Sequence, residues 1–409
     1  MTGTLLSINN YYYRRGGAEV VFLEHNRLFT EQGWRVVPFS MQHEKNLPTE
    51  WEPWFAEELE FGSHYSAWEQ LRRVPRVIWS QEARKKLARV VDHVRPRVAH
   101  AHNIYHHLSP AILPLLHDRG VPVVLTVHDL KLACPAYSMY SHGRICEQCK
   151  GGRLHNVVVN RCIKGSLALS TLIGLESVTH RLLRTYERHV SVFAVPSLFF
   201  IDKLVSWGWD RERFRHIPNF VDIDAHVPSF DAGRDFVYFG RLSREKGLAT
   251  LIRAAALSGR RVKLVGTGPE EAALRALATE LNAPVEFAGF QSGTALHDHI
   301  RSARAVVLAS EWYENAPLSI LEGYALGRPV IGARIAGIPE LVREGETGLV
   351  FEMGNAEALA AAMTRLAELP DAQVAGMGRA GRRWVEESFG PAHYAQRMSD
   401  LYAGIAANA

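Results

Sequence analysis

Short apolar runs alternate with stretches whose apolar residues recur at helical spacing along almost the whole chain. Residues 4–8 read as a buried strand and 18–30 as the helix after it. The runs at 34–39, 98–101, 122–127 and 192–195 read as further strands. The rhythm restarts beyond residue 217, with strands predicted at 236–239, 262–265, 285–287, 305–308 and 329–331. Buried strands alternating with amphipathic helices predict a parallel sheet covered on both faces. The segment between Pro218 and Pro228 has little periodicity and reads as a seam. The predicted fold class is therefore α/β: two doubly wound, Rossmann-like domains facing each other across a cleft. The first spans residues 1–217, the second 218–388, and 389–409 form a terminal helical segment. Ligands of such sheets bind at the carboxyl ends of the strands.

Two segments of the first half break the rhythm. Residues 41–76 carry Trp51, Trp54, Phe55, Phe61, Tyr65 and Trp68 beside Arg72, Arg73 and Arg76. Rings among cations suit an interfacial segment, whereas the plainer expectation is the private core of an insertion. Residues 133–165 contain all four cysteines, spaced Cys134-x11-Cys146-x2-Cys149-x12-Cys162. That spacing, in a long loop without helical pattern, predicts a structural zinc site of four thiolates; the alternative is four reduced thiols.

Composition narrows the class. The chain has 409 residues, 47% hydrophobic, with a net charge of only +4. That is too apolar for a disordered chain, and no basic stripe suggests nucleic acid. The N-terminus lacks a signal-peptide pattern and no apolar run is long enough to span a bilayer. The expected location is cytoplasmic, with peripheral contact at the inner membrane face as the sharper alternative.

The most informative stretch runs from Ala309 to Gly323, after a predicted strand. Pro317 suits a helix start, so the loop Glu314–Pro317 presents free amides at a helix N-terminus, a ready anion site. Asn315, Ala316 and Leu318 are placed to offer amides to a diphosphate and its sugar. Glu314 and Glu322 suit hydrogen bonds from sugar and ribose hydroxyls. Acidic residues also favour helix N-termini for purely structural reasons, which accounts for one glutamate but not the pair. In the turn from Gly240 to Gly247, Arg241 and Lys246 flank a bend from which both can reach one anion. Gly266 and Gly268 follow another strand, but Glu271 stands where a dinucleotide fingerprint needs its third glycine, which argues against a nicotinamide enzyme. Gly16 and Gly17 open the first helix and allow close backbone approach to a ligand. His128 ends a strand at the sheet's carboxyl edge. His100, His102, His106 and His107 near another strand end match no metal spacing.

Together these pieces resemble the retaining glycosyltransferase family 4, of GT-B fold, and within it a subgroup with a four-cysteine loop. The resemblance rests on Gly16-Gly17-Ala18-Glu19, Thr126-Val127-His128-Asp129, the hinge from Ile217 to Asp222, the Gly-Arg-Leu-x3-Lys-Gly turn, and Glu314-x7-Glu322. Phe220 stands where members often have glycine, and Asn315-Ala316-Pro317 where many have Phe-Gly-Leu. The resemblance implies that Arg241 and Lys246 hold the donor diphosphate of a UDP- or GDP-linked sugar. It implies that Glu314 binds hexose hydroxyls, Glu322 the ribose, and His128 the donor sugar near its anomeric carbon. Gly16 and Gly17 would close on the donor from the first domain. It further implies retention, no catalytic metal, a glycan or lipid-linked acceptor, and a terminal helix returning to the first domain, with Tyr394, Met398, Leu401 and Tyr402 on one face. The competing readings are a nucleotide-sugar epimerase and a zinc-stabilised, non-catalytic binding protein on the same scaffold.

Overall fold

The computed structural model describes residues 3–59 and 74–407. In the first half, β1 (Thr4–Ile8), β2 (Arg35–Phe39), β3 (Val98–Ala101), β4 (Val123–Thr126), β7 (Val192–Val195) and β8 (Phe214–His216) form a parallel sheet in the order β2-β1-β3-β4-β7-β8. The strands β5 (Tyr140–Ser141) and β6 (Arg144–Ile145) make a small antiparallel hairpin in the cysteine loop. In the second half, β9 (Phe236–Phe239), β10 (Val262–Val265), β11 (Val285–Gly289), β12 (Ala305–Leu308), β13 (Val330–Ala333) and β14 (Gly348–Phe351) form a second parallel sheet in the order β11-β10-β9-β12-β13-β14. The strands β1, β3, β4, β7, β9, β12 and β13 are buried almost throughout, which is why they read as unbroken apolar runs. Neither β8 nor β14 was expected. The first is a short edge strand in which Arg215 and His216 face solvent, so it lacks a buried-strand signature.

Each sheet has a point where the strand order reverses: between β1 and β3 in the first, between β9 and β12 in the second. A crevice opens there because the flanking crossovers leave toward opposite faces. The turns carrying Arg241, Lys246 and Glu314 follow β9 and β12, so they sit at that reversal.

The final helix, Pro391–Ala406, leaves the second domain and packs on the first. Tyr394, Met398 and Tyr402 share a core with Leu5, Phe29, Trp34 and Val98. Phe220 stacks on Tyr394 with ring centroids 4.3 Å apart, so the bulky residue after the hinge asparagine anchors this crossing helix.

The aromatic segment is largely structural where it is described. Trp51 and Phe55 are buried in the first domain's core, and Trp54 stacks on His93 with ring centroids 5.5 Å apart. Arg76 is tied to Glu57 at 3.0 Å. Phe61, Tyr65, Trp68, Arg72 and Arg73 lie outside the described residues. Among the described residues no helix is long and apolar enough to cross a membrane.

Candidate active site between the two domains

The second domain contributes an ion pair and a helix start. Lys246 Nζ donates to Glu314 Oε1 at 2.6 Å, and Ser310 Oγ donates to the same oxygen at 2.8 Å. Lys246 also lies over the Trp312 ring, 5.2 Å from its centroid. Burial pushes the Glu314 carboxyl up, but the Lys246 charge and the hydrogen bonds outweigh it, leaving the group below its ordinary value. Glu314 is therefore a buried carboxylate at neutral pH. The helix after it begins at Leu318, with Pro317 as the extended residue before its first turn. Pro317 has no N–H to leave unsatisfied there. The amides of Asn315, Ala316 and Leu318 take no partner from the described residues, so they stay available to an anion. Within that helix, burial pushes Glu322 up to about 7, opposed by the charge of Arg14 from the first domain.

The first domain meets this surface directly. Asn315 Nδ2 donates to the carbonyls of Val127 at 2.8 Å and His128 at 3.4 Å, and Ser197 Oγ donates to Asn315 Oδ1 at 2.7 Å. Glu340 caps the helix Leu198–Ser206 across the cleft, accepting the amides of Leu198 at 2.8 Å and Phe199 at 2.6 Å. Asn219, at the seam, donates to the Ala316 carbonyl at 2.8 Å. The charges of Arg15 and Arg241 both bear on Tyr137, which ties Arg241 to the mouth of the cleft. The structure thus brings His128, Arg241, Lys246, Glu314 and Glu322 around one interdomain space.

The glycines divide. A Cβ on Gly266 would lie 2.0 Å from the Gly240 carbonyl oxygen, and one on Gly268 would lie 2.2 Å from that of Leu242. Both are therefore required by packing of the β10 turn against the β9 turn, whatever else they touch. Gly17 faces open space, and the nearest atom to a Cβ on Gly16 is Glu19 Oε2 at 3.5 Å.

His128 is held from beneath by a buried histidine array that sequence spacing did not reveal. His102 Nδ1 lies 2.8 Å from His128 Nε2. The His100 ring stacks on His102 at 4.4 Å, and its Nε2 lies 2.7 Å from Thr126 Oγ1. The returning helix completes the array: Tyr402 OH is 2.6 Å from His100 Nδ1, and Tyr394 OH is 2.9 Å from His25 Nδ1. Burial holds His25, His100 and His102 well below their ordinary pKa, and His128 at about 4. All four are neutral at pH 7. His100 and His102 are thus interior residues. His107 is tied to the Leu59 carbonyl at 2.5 Å.

Ser310 and Asp129 were passed over as site residues. Ser310 follows β12 four residues before Glu314, a spacing that signals a shared turn. Asp129 accepts from the Tyr105 hydroxyl and from the Lys131 amide at 2.9 Å, and burial raises it to about 6. Glu340 lies 26 residues beyond Glu314 and carried no local signal.

The structure does not show the expected zinc site. Cys134, Cys146, Cys149 and Cys162 are unbridged. They lie near enough that the other three help burial raise Cys149 to about 12. Yet among the described residues no group of three or more His, Cys, Asp or Glu is placed to hold a metal ion. The loop is held by other means. Glu147 accepts from Lys203 at 2.6 Å and from Tyr313 of the second domain at 2.7 Å, while Asn156 and Asn160 brace Gln148. A 330 Å³ cavity lined by Lys131, Glu176, Arg184 and Trp209 lies within the first domain rather than in the cleft.

Comparison with known proteins fits this geometry. The profile "Glycosyltransferase Family 4" matches residues 15–225 and "Glycosyl transferases group 1" matches 222–384. The chain belongs to glycosyltransferase family 4. It is 32% identical over 192 residues to the lipopolysaccharide core biosynthesis glycosyltransferase LpsE of Rhizobium meliloti, covering 44% of this chain and 55% of that protein. It is 28% identical over 340 residues to the alpha-maltose-1-phosphate synthase of Mycolicibacterium smegmatis, covering 76% and 79%. A GDP-mannose-dependent phosphatidylinositol monomannoside mannosyltransferase of the same organism is 30% identical over 253 residues, covering 56% and 66%. Among solved structures, sucrose-phosphate synthase from Thermosynechococcus elongatus superposes with a TM-score of 0.74 at 22% identity over the whole of both chains. Anabaena HepE in complex with UDP and glucose gives 0.69 at 18% identity, covering 98% of this chain and 100% of that one. This family 4 chain has the GT-B fold.

Proposed function

We propose that this family 4 chain is a retaining glycosyltransferase moving a hexose from a nucleotide-diphosphate donor to a glycan or lipid-linked acceptor in surface polysaccharide or glycoconjugate assembly. The observation that carries the reading is the Lys246–Glu314 pair at the strand-order reversal, beside free helix amides, with the next residue, Asn315, bonded to the carbonyls of Val127 and His128. Arg241 and Lys246 would hold the diphosphate, with the amides of Ala316 and Leu318 completing its cradle. They supply the positive charge that otherwise calls for a metal ion. Glu314, ionised, would accept hydrogen bonds from hexose hydroxyls. Glu322, half-protonated near pH 7, would meet the ribose. His128, neutral, would offer a hydrogen bond rather than a charge beside the anomeric carbon.

In the proposed step the bond from the anomeric carbon to the diphosphate oxygen breaks and the pair goes to the diphosphate. The acceptor oxygen bonds the same face, and its proton passes to the departing phosphate. Support for the donor class comes from the GDP-mannose-dependent relative and from the structural relative that holds UDP and glucose. No step uses the cysteine loop.

The test is a thermal-shift panel of UDP, GDP, ADP and their hexose conjugates, because a ligand bound only by the folded state raises its melting temperature. One nucleotide class should raise it in the wild type and not in Lys246→Ala. No shift with any of them removes the donor assignment. Turnover without an acceptor, yielding only an altered nucleotide sugar, would favour the epimerase.

A further inference from the structure

The helix Leu167–Leu182 is capped by Ser166, whose hydroxyl accepts the Leu169 amide, and it has two unlike faces. One is fixed to the first domain. Ser170, Ile173, Gly174, Glu176 and His180 are buried, Glu176 pairs with Lys131 at 2.7 Å, and His180 Nε2 lies 2.8 Å from the Ile78 carbonyl oxygen. The other face holds Leu167, Thr171, Leu175, Val178 and Leu182. Spacings of three and four residues put them in one stripe about 22 Å long. Leu167 is 52% exposed, Leu175 53% and Leu182 78%. Leu183 is also exposed, as is Val159 in the turn that packs on Gly174. No other stretch of the described chain gathers its exposed large apolar residues this way. Water-facing leucines in such a stripe call for a partner.

Charge identifies the partner. Residues 150–189 hold seven Lys and Arg (Lys150, Arg153, Arg161, Lys164, Arg181, Arg184 and Arg188) against Glu176 and Glu187. Glu176 is buried in its ion pair. The chain's net charge is only +4, so this segment carries all of its excess and the remainder is close to neutral. Arg161 and Lys164 precede the stripe, and Arg181 and Arg184 close it, all at the surface. An apolar stripe with cations at both ends matches an anionic bilayer, with leucines among acyl chains and arginines at lipid phosphates.

We propose that the helix Leu167–Leu182 and its basic flanks dock this protein on an anionic membrane surface. The aromatic segment 41–76 is not required for this, since Trp51 and Phe55 are spent in the core. The docking surface stands apart from the donor site, so it survives or falls independently of the transfer reaction.

The test is co-sedimentation of the full chain with vesicles of phosphatidylcholine alone and with about one-third phosphatidylglycerol, at low and high salt. Binding is expected only to the anionic vesicles, weakening as salt screens the arginines. Leu175→Glu with Leu182→Glu, both at exposed positions, should lower partitioning by about tenfold or more. Arg181→Glu with Arg184→Glu should do the same while leaving nucleotide thermal shifts unchanged. Absence of binding at low salt overturns the proposal, as does full binding by the double-leucine variant. Sedimentation velocity that shows a dimer broken by the leucine variant assigns the stripe to a second copy and overturns it equally.

Discussion

Lowering the pH should strike the first domain through its buried histidines. His25, His100, His102 and His128 have folded-state pKa values below the ordinary 6.5. On unfolding each regains that value, so the unfolded chain binds more protons as pH falls. Stability is full above about 6.5 and is lost as pH drops below it. Because the unfolded value is 6.5, a histidine held neutral down to pH 5 costs at most about 2 kcal/mol relative to pH 8, which sets a ceiling of about 8 kcal/mol for four. Asp129 works in the opposite direction. Its folded pKa of about 6 exceeds the ordinary value, so folding is favoured as it takes up a proton, returning about 1 kcal/mol by pH 5. Glu322 acts similarly in the second domain, and Glu314 loses its contribution only below this window. The buried His106 and His180 add to the loss and Glu19 opposes it, so the first domain should lose stability on net, by an amount that reaches the scale of a whole domain's stability if the histidine ceiling is approached. Seven of the nine tryptophans lie before residue 210, so tryptophan fluorescence during urea unfolding reports mainly this domain. The midpoint should fall between pH 8 and pH 5, by as much as about 2 M. His102→Gln removes one titrating ring, and its loss over that interval should be smaller, by up to about 2 kcal/mol. A midpoint that holds or rises as pH falls would refute the reasoning, and so would an undiminished loss in His102→Gln.

Other outcomes follow from the same geometry. Lys246→Ala and Glu314→Ala should each lower turnover by about 100-fold or more without unfolding the protein; near-normal rates in both would contradict their roles. A Cβ at Gly337 would lie 1.7 Å from the Asn315 carbonyl oxygen and 3.1 Å from Ser197 Cβ. Gly337→Ala should therefore displace Asn315 from the His128 strand end and cut activity more than it lowers the melting temperature, read by paired kinetics and calorimetry. Unfolded without reductant, the chain should show four reactive thiols by thiol titration, and fewer would reveal a bridge in the cysteine loop.

Much of the framework was legible in the sequence because burial leaves a local trace. A parallel strand covered on both faces must be apolar at nearly every position, so β1, β9 and β12 stood out unaided. The turns holding Arg241, Lys246 and Glu314 were visible because a strand followed by glycine or proline and then a helix is also local. The helix Pro391–Ala406 was visible by its spacing.

What tertiary structure alone decided lies between segments distant in the chain. The sequence showed that Glu314 and Lys246 flank strand ends, but their 2.6 Å contact depends on β9 and β12 being neighbours, which strand order dictates. It showed His128 at a sheet edge. That His128 rests on His102, and that the same array reaches two tyrosines from the chain's last helix, needed the fold. It showed tryptophans and leucines without telling which face water. Trp51 went inward and Leu175 and Leu182 stayed outside, because exposure depends on what packs opposite, and no local spacing contains that. The cysteines make the same point: their spacing could not say that the fold brings the four thiols near enough to act on one another, nor that no group of three or more ligands among the described residues is placed to hold a metal ion.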